Sequence, residues 1–476
     1  MNILVISPEV FPFAKTGGLA DVAGALPEAL SKKGHNASVI LPFYQLVQKN
    51  GFKPAVFKKN LSVRINNREE PFNLLVLKHN GVNAYFIDKK EYYDREFLYG
   101  TPKGDYADNA FRFGFFAKAV LASIPHIGRQ DIFHCNDWQS GIVPMYMKNF
   151  YKDDPLLKKT KVLFTIHNTA YQGLFIREVV PYLDIAWDLF TPTGLEFWGK
   201  LSFMKAGLLY ADAISTVSKG YSKEILTPEF GYGLDGLLRT KQDILYGIVN
   251  GVDYSVWSPA NDKFIARRFN EKDLSGKAEC KKDLAKVFGI RYDAKRPLLG
   301  MITRLAEQKG IDLVSNIMKD IVKIADFVIL GFGDEKYNTI FKDLAKRYKG
   351  KVGASIKFDN ALSHKIEAGS DMFLMPSRYE PCGLNQMYSL KYATVPVVRA
   401  VGGLDDTIEN FNSYTKKGNG FKFKDATNET FLGAIKEAVA MFKNKRLWDA
   451  LLKNCLACDF SWESSAEQYL KLYKNL

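Results

Sequence analysis

Cysteine is scarce in this chain, with five residues among 476. The number is odd and the spacing irregular, which argues against a disulfide framework and indicates a reducing compartment. Cys455 and Cys458 form a single C-x-x-C pair. A zinc ribbon needs a second such pair, and a thioredoxin-type pair follows a strand near the start of a chain. Two buried helix cysteines are therefore favoured over a metal or redox site.

Long apolar runs are also missing, and none approaches the length that spans a membrane. Met1 leads directly into the apolar run Ile3–Ile6, without the basic region, apolar region and cleavage site of a secretory signal. We therefore expect a cytoplasmic protein with no membrane partner.

Positive charge is in excess, but no basic block carries it. Lys and Arg number 66 against 52 Asp and Glu, a formal net charge of +14. The lysines are scattered in twos, as at Lys32-Lys33 and Lys416-Lys417, without interleaved aromatic residues. This pattern disfavours nucleic acid as a partner and makes a solvated basic surface the default, with an anionic surface or a small phosphorylated ligand as alternatives.

The chain has the composition of a globular protein, 47% apolar and 25% charged, and is too long for one hydrophobic core. Short β-branched runs alternate with helical segments, which predicts mostly parallel, doubly wound sheets. The first series comprises Ile3–Ile6, Ala37–Leu41, Leu74–Leu77, Ala84–Ile87, Ile132–Phe133, Val162–Ile166 and Ala213–Val217. The second comprises Leu298–Ile302, Phe327–Leu330, Ala354–Lys357, Met372–Met375 and Val395–Val398.

The alternation pauses at Asn250–Asp253, which indicates a hinge. We therefore predict two Rossmann-like α/β domains, 1–252 and 253–459. In open α/β sheets the ligand lies off the carboxyl ends of the strands. Two such domains facing each other predict a site in a deep cleft between them.

The loop Lys15-Thr-Gly-Gly-Leu-Ala-Asp21 follows the first strand and opens a helix. Paired glycines let a ligand approach the backbone, and unpaired N–H groups at a helix start attract negative charge. The loop is neither a dinucleotide fingerprint nor a P-loop. It predicts an anion site of another kind, with a plain strand-to-helix turn as the alternative.

Polar side chains follow other strands. Asp137 and the pair His167-Asn168 do so in the first domain, and Arg304 and Lys309 share one strand-to-helix turn in the second. Two cations in one turn would neutralise a diphosphate. The later turn Ser377–Leu384 supplies Glu380, suited to sugar hydroxyls, and another helix N-terminus at Gly383-Leu384.

Seven segments together resemble, in order, the bacterial glycogen synthases and plant starch synthases. They are Lys-Thr-Gly-Gly-Leu-Ala-Asp at 15–21, Asn-Asp-Trp at 136–138, Ile-His-Asn at 166–168, Asn-Gly-Val-Asp at 250–253, Arg-Leu-x-x-Gln-Lys-Gly at 304–310, Ser-Arg-Tyr-Glu-Pro-Cys-Gly-Leu at 377–384 and Gly-Gly-Leu at 402–404. The resemblance covers nearly the whole chain. It implies a GT-B fold in which residues 460–476 form a helix that crosses back to the first domain.

The resemblance also implies the reaction. Such an enzyme transfers glucose from ADP-glucose to the non-reducing end of an α-1,4-glucan with retention of configuration. The nucleotide sugar is a substrate, and no cofactor or metal is expected; the absence of an Asp-x-Asp motif after a strand agrees with this. The resemblance leaves open whether the protein forms a homo-oligomer.

Site residues carry over from the same motifs. His167, Glu380, Arg304, Lys309 and Asp137 are the implied catalytic residues. In the family the main-chain carbonyl at the histidine position lies near the reacting carbon, Glu380 holds glucose hydroxyls, and the cations stabilise the leaving diphosphate. The implied donor-binding residues are Lys15, Gly18, Tyr93, Asn168, Asn250, Phe358, Cys382, Gly383 and Leu384, and the implied acceptor-binding residues are Asp21 and Trp138.

Several of these residues have a structural alternative. Asp21 and Asp137 could each serve the N-terminus of the following helix. His167 could be a hydrogen-bonded core histidine, and Arg304 with Lys309 a solvated pair. Cys382 is interpreted as a small packed residue, because no basic residue adjoins it in the sequence.

Three positions depart from the wider pattern or align ambiguously. Many retaining GT-B enzymes carry a second Glu eight residues after the first, where this chain has Tyr388, as glycogen and starch synthases do. Phe358 stands where some members place Tyr against adenine, so stacking is kept and one hydrogen bond lost. Tyr93 aligns ambiguously with a donor-pocket tyrosine because Tyr92 adjoins it.

Two functional alternatives remain at this point. One is a related retaining transferase that uses UDP-glucose, and the other a catalytically silent glucan-binding protein. Retention itself is compatible with a front-face, oxocarbenium-like path or with a covalent intermediate on Asp137 or Glu380.

Overall fold

The computed structural model describes residues 1–476 and divides them into two compact units. Unit 1 contains residues 1–217, 222–251 and 462–476, and unit 2 contains residues 218–221 and 252–461. Both are α/β, with helices that connect mostly parallel strands.

Unit 1 is built on a nine-stranded sheet. Its strands, together with two small sheets, are β1 (Asn2–Ile6), β2 (Asn36–Pro42), β3 (Ala55–Ile65), β4 (Arg68–His79), β5 (Val82–Asp88), β6 (Gly100–Thr101), β7 (Gly104–Asp105), β8 (Ile132–Asn136), β9 (Lys161–Ile166), β10 (Leu174–Ile176), β11 (Glu196–Phe197), β12 (Lys200–Ser202), β13 (Ala213–Thr216) and β14 (Leu245–Gly247). The large sheet has the order β14-β13-β9-β8-β1-β2-β5-β4-β3. Its central strands β8, β1 and β2 are parallel and largely buried, as expected of strands with helices on both faces of the sheet.

Strand β3 was not predicted from the sequence. It is an antiparallel edge strand beside β4, and most of its residues are exposed. Only its C-terminal end alternates, where Val63 and Ile65 are buried, so the hydrophobic pattern that marks a strand is short. Strand β4 is also antiparallel, to β5, so the parallel series predicted from the sequence ends at this side of the sheet.

The helices of the N-terminal half are α1 (Gly18–Lys32), α2 (Gln45–Lys49), α3 (Lys90–Tyr93), α4 (Asn109–Ile127), α5 (Asp137–Phe150), α6 (Val179–Tyr182), α7 (Phe203–Tyr210), α8 (Lys219–Glu224), α9 (Pro228–Gly231) and α10 (Asp235–Thr240). No helix of the chain is both long and apolar enough to cross a membrane.

Unit 2 is built on a six-stranded sheet in which every pairing is parallel. Its strands are β15 (Leu298–Ile302), β16 (Asp326–Leu330), β17 (Val352–Ser355), β18 (Met372–Met375), β19 (Val395–Arg399) and β20 (Phe421–Phe423), in the order β17-β16-β15-β18-β19-β20. The helices that follow are α11 (Ser275–Val287), α12 (Ile311–Asn316), α13 (Met318–Ile324), α14 (Glu335–Arg347), α15 (Asn360–Gly369), α16 (Asn385–Lys391), α17 (Gly402–Thr407), α18 (Asn428–Lys443), α19 (Lys445–Leu456) and α20 (Trp462–Lys474).

The last helix, α20, belongs to unit 1. The Tyr473 hydroxyl lies 2.8 Å from Nδ1 of the fully buried His134 on β8. At the surface, Lys33 at the end of α1 pairs with Glu467 at 2.8 Å. The apolar face of α20 is thus held in unit 1 by a buried hydrogen bond.

Tyr388, the position where other retaining enzymes carry a second Glu, lies in an aromatic stack in unit 2. Its ring stacks on Trp257 at 4.1 Å between centroids, and Trp257 also stacks on His364 at 3.9 Å. The interplanar angles are 3° and 4°. His364 bonds in turn to Asp262 at 2.7 Å, so Tyr388 helps to fix the segment after residue 252 against α15 and α16.

Candidate active site

The Gly-Gly loop is occupied by the protein's own carboxylate. Glu9 accepts the backbone N–H of Thr16 at 2.5 Å and that of Gly17 at 3.1 Å. These two amides are therefore not open to a ligand, which corrects the simplest form of the predicted anion site. Gly18, the first residue of α1, is exposed and has no side-chain atoms to obstruct its surroundings. Of the loop residues predicted to bind an anion, Gly18 and the Lys15 side chain remain exposed to solvent.

Lys15 pairs with Asp21 in the first turn of α1. Its ammonium lies 2.6 and 2.7 Å from the two carboxylate oxygens. Burial raises the pKa of Asp21, and the charge of Lys15 opposes that rise. Asp21 does not cap the helix, since the N-cap position is Gly17.

Asp137 begins α5 with a left-handed backbone, φ +53°. An Asp can adopt this conformation, which is uncommon for other side chains and often marks functional sites. Its Oδ1 accepts the backbone N–H of His167 at 2.7 Å. Burial raises the pKa of Asp137 to about 7. Asp137 thus joins the ends of β8 and β9, and the capping alternative is wrong because Asn136 occupies the N-cap position.

His167 lies at the end of β9, partly exposed. Its Nε2 is 3.0 Å from Oδ1 of Asn136, and burial lowers the pKa of the imidazole to about 3. The ring is therefore neutral at physiological pH. The next residue, Asn168, turns its side chain back to accept the N–H of Ala170 at 2.9 Å.

In unit 2, the turns after β15 and β18 converge. Lys309 Nζ lies 2.6 Å from Glu380 Oε2, and the Ser377 hydroxyl donates to the same oxygen at 3.0 Å. These side chains line a cavity of about 180 Å³. Its lining includes Arg304, Lys309, Ser377, Glu380, Gly383 and Leu384. Arg304 is exposed and donates to Gln308 at 3.0 Å. The structure therefore brings together the five unit 2 residues from which a phosphate and sugar site was predicted, Arg304, Lys309, Glu380, Gly383 and Leu384.

Cys382 and Phe358 differ sharply in exposure. Cys382 is buried beside Gly403, where an added Cβ would meet the Cys382 carbonyl oxygen at 2.1 Å. It is a small packed residue that contacts a tight turn. The Phe358 ring, just before α15, is 91% exposed. The ring is therefore free to stack on a planar group.

Three predicted residues lie inside unit 1 rather than at its surface. Tyr93 is fully buried, and its hydroxyl donates to the Arg112 carbonyl at 2.8 Å, so direct contact with a donor would require the core to open. Trp138 is packed edge-on against Phe113 at 5.0 Å and is 8% exposed. Asn250 is buried with its Oδ1 lacking a hydrogen-bond partner.

Sequence analysis missed Glu9, Tyr99 and Ser377. The available signal for Glu9 was a carboxylate in the loop that follows an apolar strand. Ser377 is the first residue of the motif at 377–384. Tyr99 carries no local signal, because its partner lies ninety positions away. No group of three or more His, Cys, Asp or Glu side chains is arranged to hold a metal ion.

Family models and known relatives match this chain over most of its length. The family model for the starch synthase catalytic domain matches residues 2–240, and that for group 1 glycosyl transferases matches residues 285–447. The glycogen synthase of Koribacter versatilis is 47% identical over all of this chain and 98% of its own length. That of Anaeromyxobacter sp. strain Fw109-5 is 44% identical over 100% of this chain and 99% of its own.

Solved structures of other proteins also share the fold of this chain. The catalytic domain of starch synthase IV from Arabidopsis thaliana, bound to ADP and acarbose, superposes with a TM-score of 0.91 at 31% identity, covering 100% of this chain and 99% of that one. Sucrose-phosphate synthase from Thermosynechococcus elongatus reaches 0.63 at 18% identity over 100% and 98%, which bears on the fold alone. The expected GT-B fold and the glucan-extending glycosyltransferase activity are thereby confirmed. The chain belongs to the glycogen synthase and starch synthase family of glycosyltransferases.

Proposed function

We propose that this protein is a glycogen synthase whose donor is ADP-glucose, and that Arg304 and Lys309 stabilise the departing diphosphate. The observation that carries the proposal is the Lys309–Glu380 pair at 2.6 Å, with Arg304 in the same cavity. Cations held in place before the substrate arrives stabilise developing negative charge without reorganisation during the reaction. No metal is needed in this scheme, since the two side chains supply the charge.

Glu380 binds the glucose hydroxyls in this proposal. Ser377 and Lys309 orient its carboxylate, and only the Oε2 atom carries both contacts. When Lys309 turns to the diphosphate, Glu380 regains acceptor capacity for hydroxyl donors. Phe358 stacks on the adenine, as its exposed ring allows, and Gly383 and Leu384 line the cavity that contains Arg304 and Lys309.

Unit 1 supplies the remaining groups. Lys15 and Gly18 contact the donor diphosphate, Asp137 and the His167 carbonyl face the glucose, and Asp21 binds the acceptor glucan. Burial lowers the pKa of the His167 imidazole to about 3, which makes the ring a weak base at pH 7. Because the histidine position then contributes its carbonyl rather than a proton acceptor, we favour a front-face transfer with retention over a covalent intermediate.

ADP is the nucleotide bound in the solved starch synthase IV, which supports the choice of donor. The compartment in this proposal is the cytoplasm, in line with the odd number and irregular spacing of the cysteines. Equilibrium binding of ADP and UDP in excess chelator tests the donor assignment. We expect ADP to bind more tightly and the chelator to have no effect. Equal affinities, or loss of ADP binding in chelator, would contradict it.

A further inference from the structure

We infer that Glu9 is a positioning residue that holds the loop Lys15–Gly18 in its binding conformation. The inference rests on the proposed function, in which Lys15 and Gly18 contact the donor diphosphate. Glu9 itself does not touch the substrate. It acts through the backbone of the loop.

Hydrogen bonds surround the Glu9 carboxylate, which is 4% exposed. Oε2 accepts the Thr16 and Gly17 amides at 2.5 and 3.1 Å. Oε1 accepts the Thr16 hydroxyl at 2.7 Å and the Tyr99 hydroxyl at 2.9 Å. Each oxygen therefore has two donors, and the carboxylate has no ready site left for a metal ion or a substrate hydroxyl.

The loop needs such an anchor because its glycines provide none. A Cβ at Gly17 or Gly18 would meet no atom within 4 Å, so no packing surface lies beside either residue. Glycine also has more conformational freedom to lose than any other residue. Besides the Lys15–Asp21 pair and the Ala20 amide, which donates to the Gly17 carbonyl at 3.3 Å, the loop is restrained through the Thr16 and Gly17 amides, and Glu9 binds both of them.

Tyr99 fixes Glu9 from the opposite side, and a buried layer in turn fixes Tyr99. The Tyr99 carbonyl accepts Asn109 Nδ2 at 2.8 Å, and Arg112 donates to Asn109 Oδ1 at 2.7 Å. The Arg112 guanidinium is fully buried and also donates to the Leu98 carbonyl at 2.9 Å. These contacts hold the segment that carries the Tyr99 hydroxyl.

Tyr93 contacts the same buried layer and so acts on the loop indirectly. Its hydroxyl donates to the Arg112 carbonyl, at the base of the chain of contacts that leads through Tyr99 to Glu9. A tyrosine with no exposed surface can thus affect donor binding without contact with the donor.

Three variants test the inference in the full-length protein. Thr16→Val removes one hydroxyl from an exposed position, Tyr99→Phe removes one buried hydroxyl, and Glu9→Gln keeps the shape but loses the charge. We expect each to raise the KM for the nucleotide sugar about tenfold, the effect of one hydrogen bond to a charged group, with a smaller change in kcat. The KM for glycogen and the thermal midpoint of Thr16→Val should stay at wild-type values.

Thr191→Val, which also removes an exposed hydroxyl in unit 1, is the matched control and should change nothing. A double-mutant cycle between Glu9→Gln and Thr16→Val should be non-additive, because the two side chains are in direct contact. The donor is the nucleotide sugar that the wild type uses, so a wrong donor assignment affects only the proposed function. Wild-type donor KM in Thr16→Val, or additive effects in the cycle, would overturn the inference.

Discussion

Lys309 Nζ lies 2.6 Å from Glu380 Oε2 in unit 2, and Lys15 Nζ lies 2.6 Å from Asp21 Oδ1 in unit 1. In each unit, a cation proposed for phosphate is neutralised by a carboxylate proposed for a sugar. The Lys309 pair is the more enclosed, with side chains 21% and 9% exposed. Exchange of Glu380 for a diphosphate keeps the Lys309 charge compensated, so the free enzyme avoids an unpaired cation in a partly buried site.

Lys309→Ala should lower glucose transfer about 10²–10³-fold, the usual effect of removing one group that stabilises a leaving charge. Binding of glycogen should be unaffected, because no acceptor contact is assigned to this residue. Steady-state kinetics and glycogen co-sedimentation separate the two effects. Lys323→Ala, which loses a surface pair with Asp320, is the control. Equal losses of transfer and glucan binding would count against the leaving-group role.

Phe358→Ala should weaken ADP binding by about 1–3 kcal/mol, the contribution of one base stacked on an aromatic ring. The ring is 91% exposed, so stability should not change. Phe358→Tyr should bind at least as well as the wild type, since stacking is kept and a hydroxyl is added. Calorimetric titration measures all three proteins. Wild-type affinity in the alanine variant would remove Phe358 from the donor site.

Asp137→Asn should stabilise the protein more at pH 8 than at pH 5. Burial raises the pKa of Asp137 from its ordinary 3.8 to about 7, so the folded state holds a proton that the unfolded state has released. The stability linked to that proton is complete below pH 3.8 and is lost as pH rises through 7. Between pH 5 and pH 8 the free energy of unfolding of the wild type should therefore fall by about 2 kcal/mol relative to that of the variant.

Urea unfolding at the two pH values measures this change. Asp343→Asn, at an exposed position, is the control variant. A difference between variant and wild type that stays constant from pH 5 to pH 8 would show that Asp137 titrates normally.

Tyr473→Phe should lower the free energy of unfolding by about 1–3 kcal/mol, because it leaves Nδ1 of the buried His134 without its partner. Deletion of residues 460–476 should have a larger effect and reduce solubility and activity together, since α20 covers part of the unit 1 core. Tyr414→Phe, at a position 95% exposed, is the control. A soluble, fully active truncated protein would contradict a structural role for α20.

Sequence patterns predict the parallel strands of both units, because continuous apolar runs such as Leu298–Ile302 are buried on both faces. They also predict the clustering of Arg304, Lys309 and Glu380, since neighbouring parallel strands end at one edge of a sheet. They fail where function depends on distant partners. Glu9 and Tyr99 meet across ninety positions, and no local pattern encodes that contact.

Burial accounts for the other differences. Tyr93 and Trp138 lie within recognisable motifs, yet the depth of each side chain is decided by elements far along the chain, such as Arg112 on α4 and Phe203 on α7. Motif position predicts which loop a residue belongs to, and packing decides whether its side chain reaches the surface.

Transfer of glucose onto glycogen, measured with ADP-glucose and UDP-glucose in parallel and with excess chelator, tests the donor and the metal independence of the reaction together. Glu380→Ala is the paired variant. We expect transfer that strongly favours ADP-glucose, persists in chelator and is lost in the variant. Preference for UDP-glucose, dependence on a metal, or no transfer from either donor would contradict this expectation.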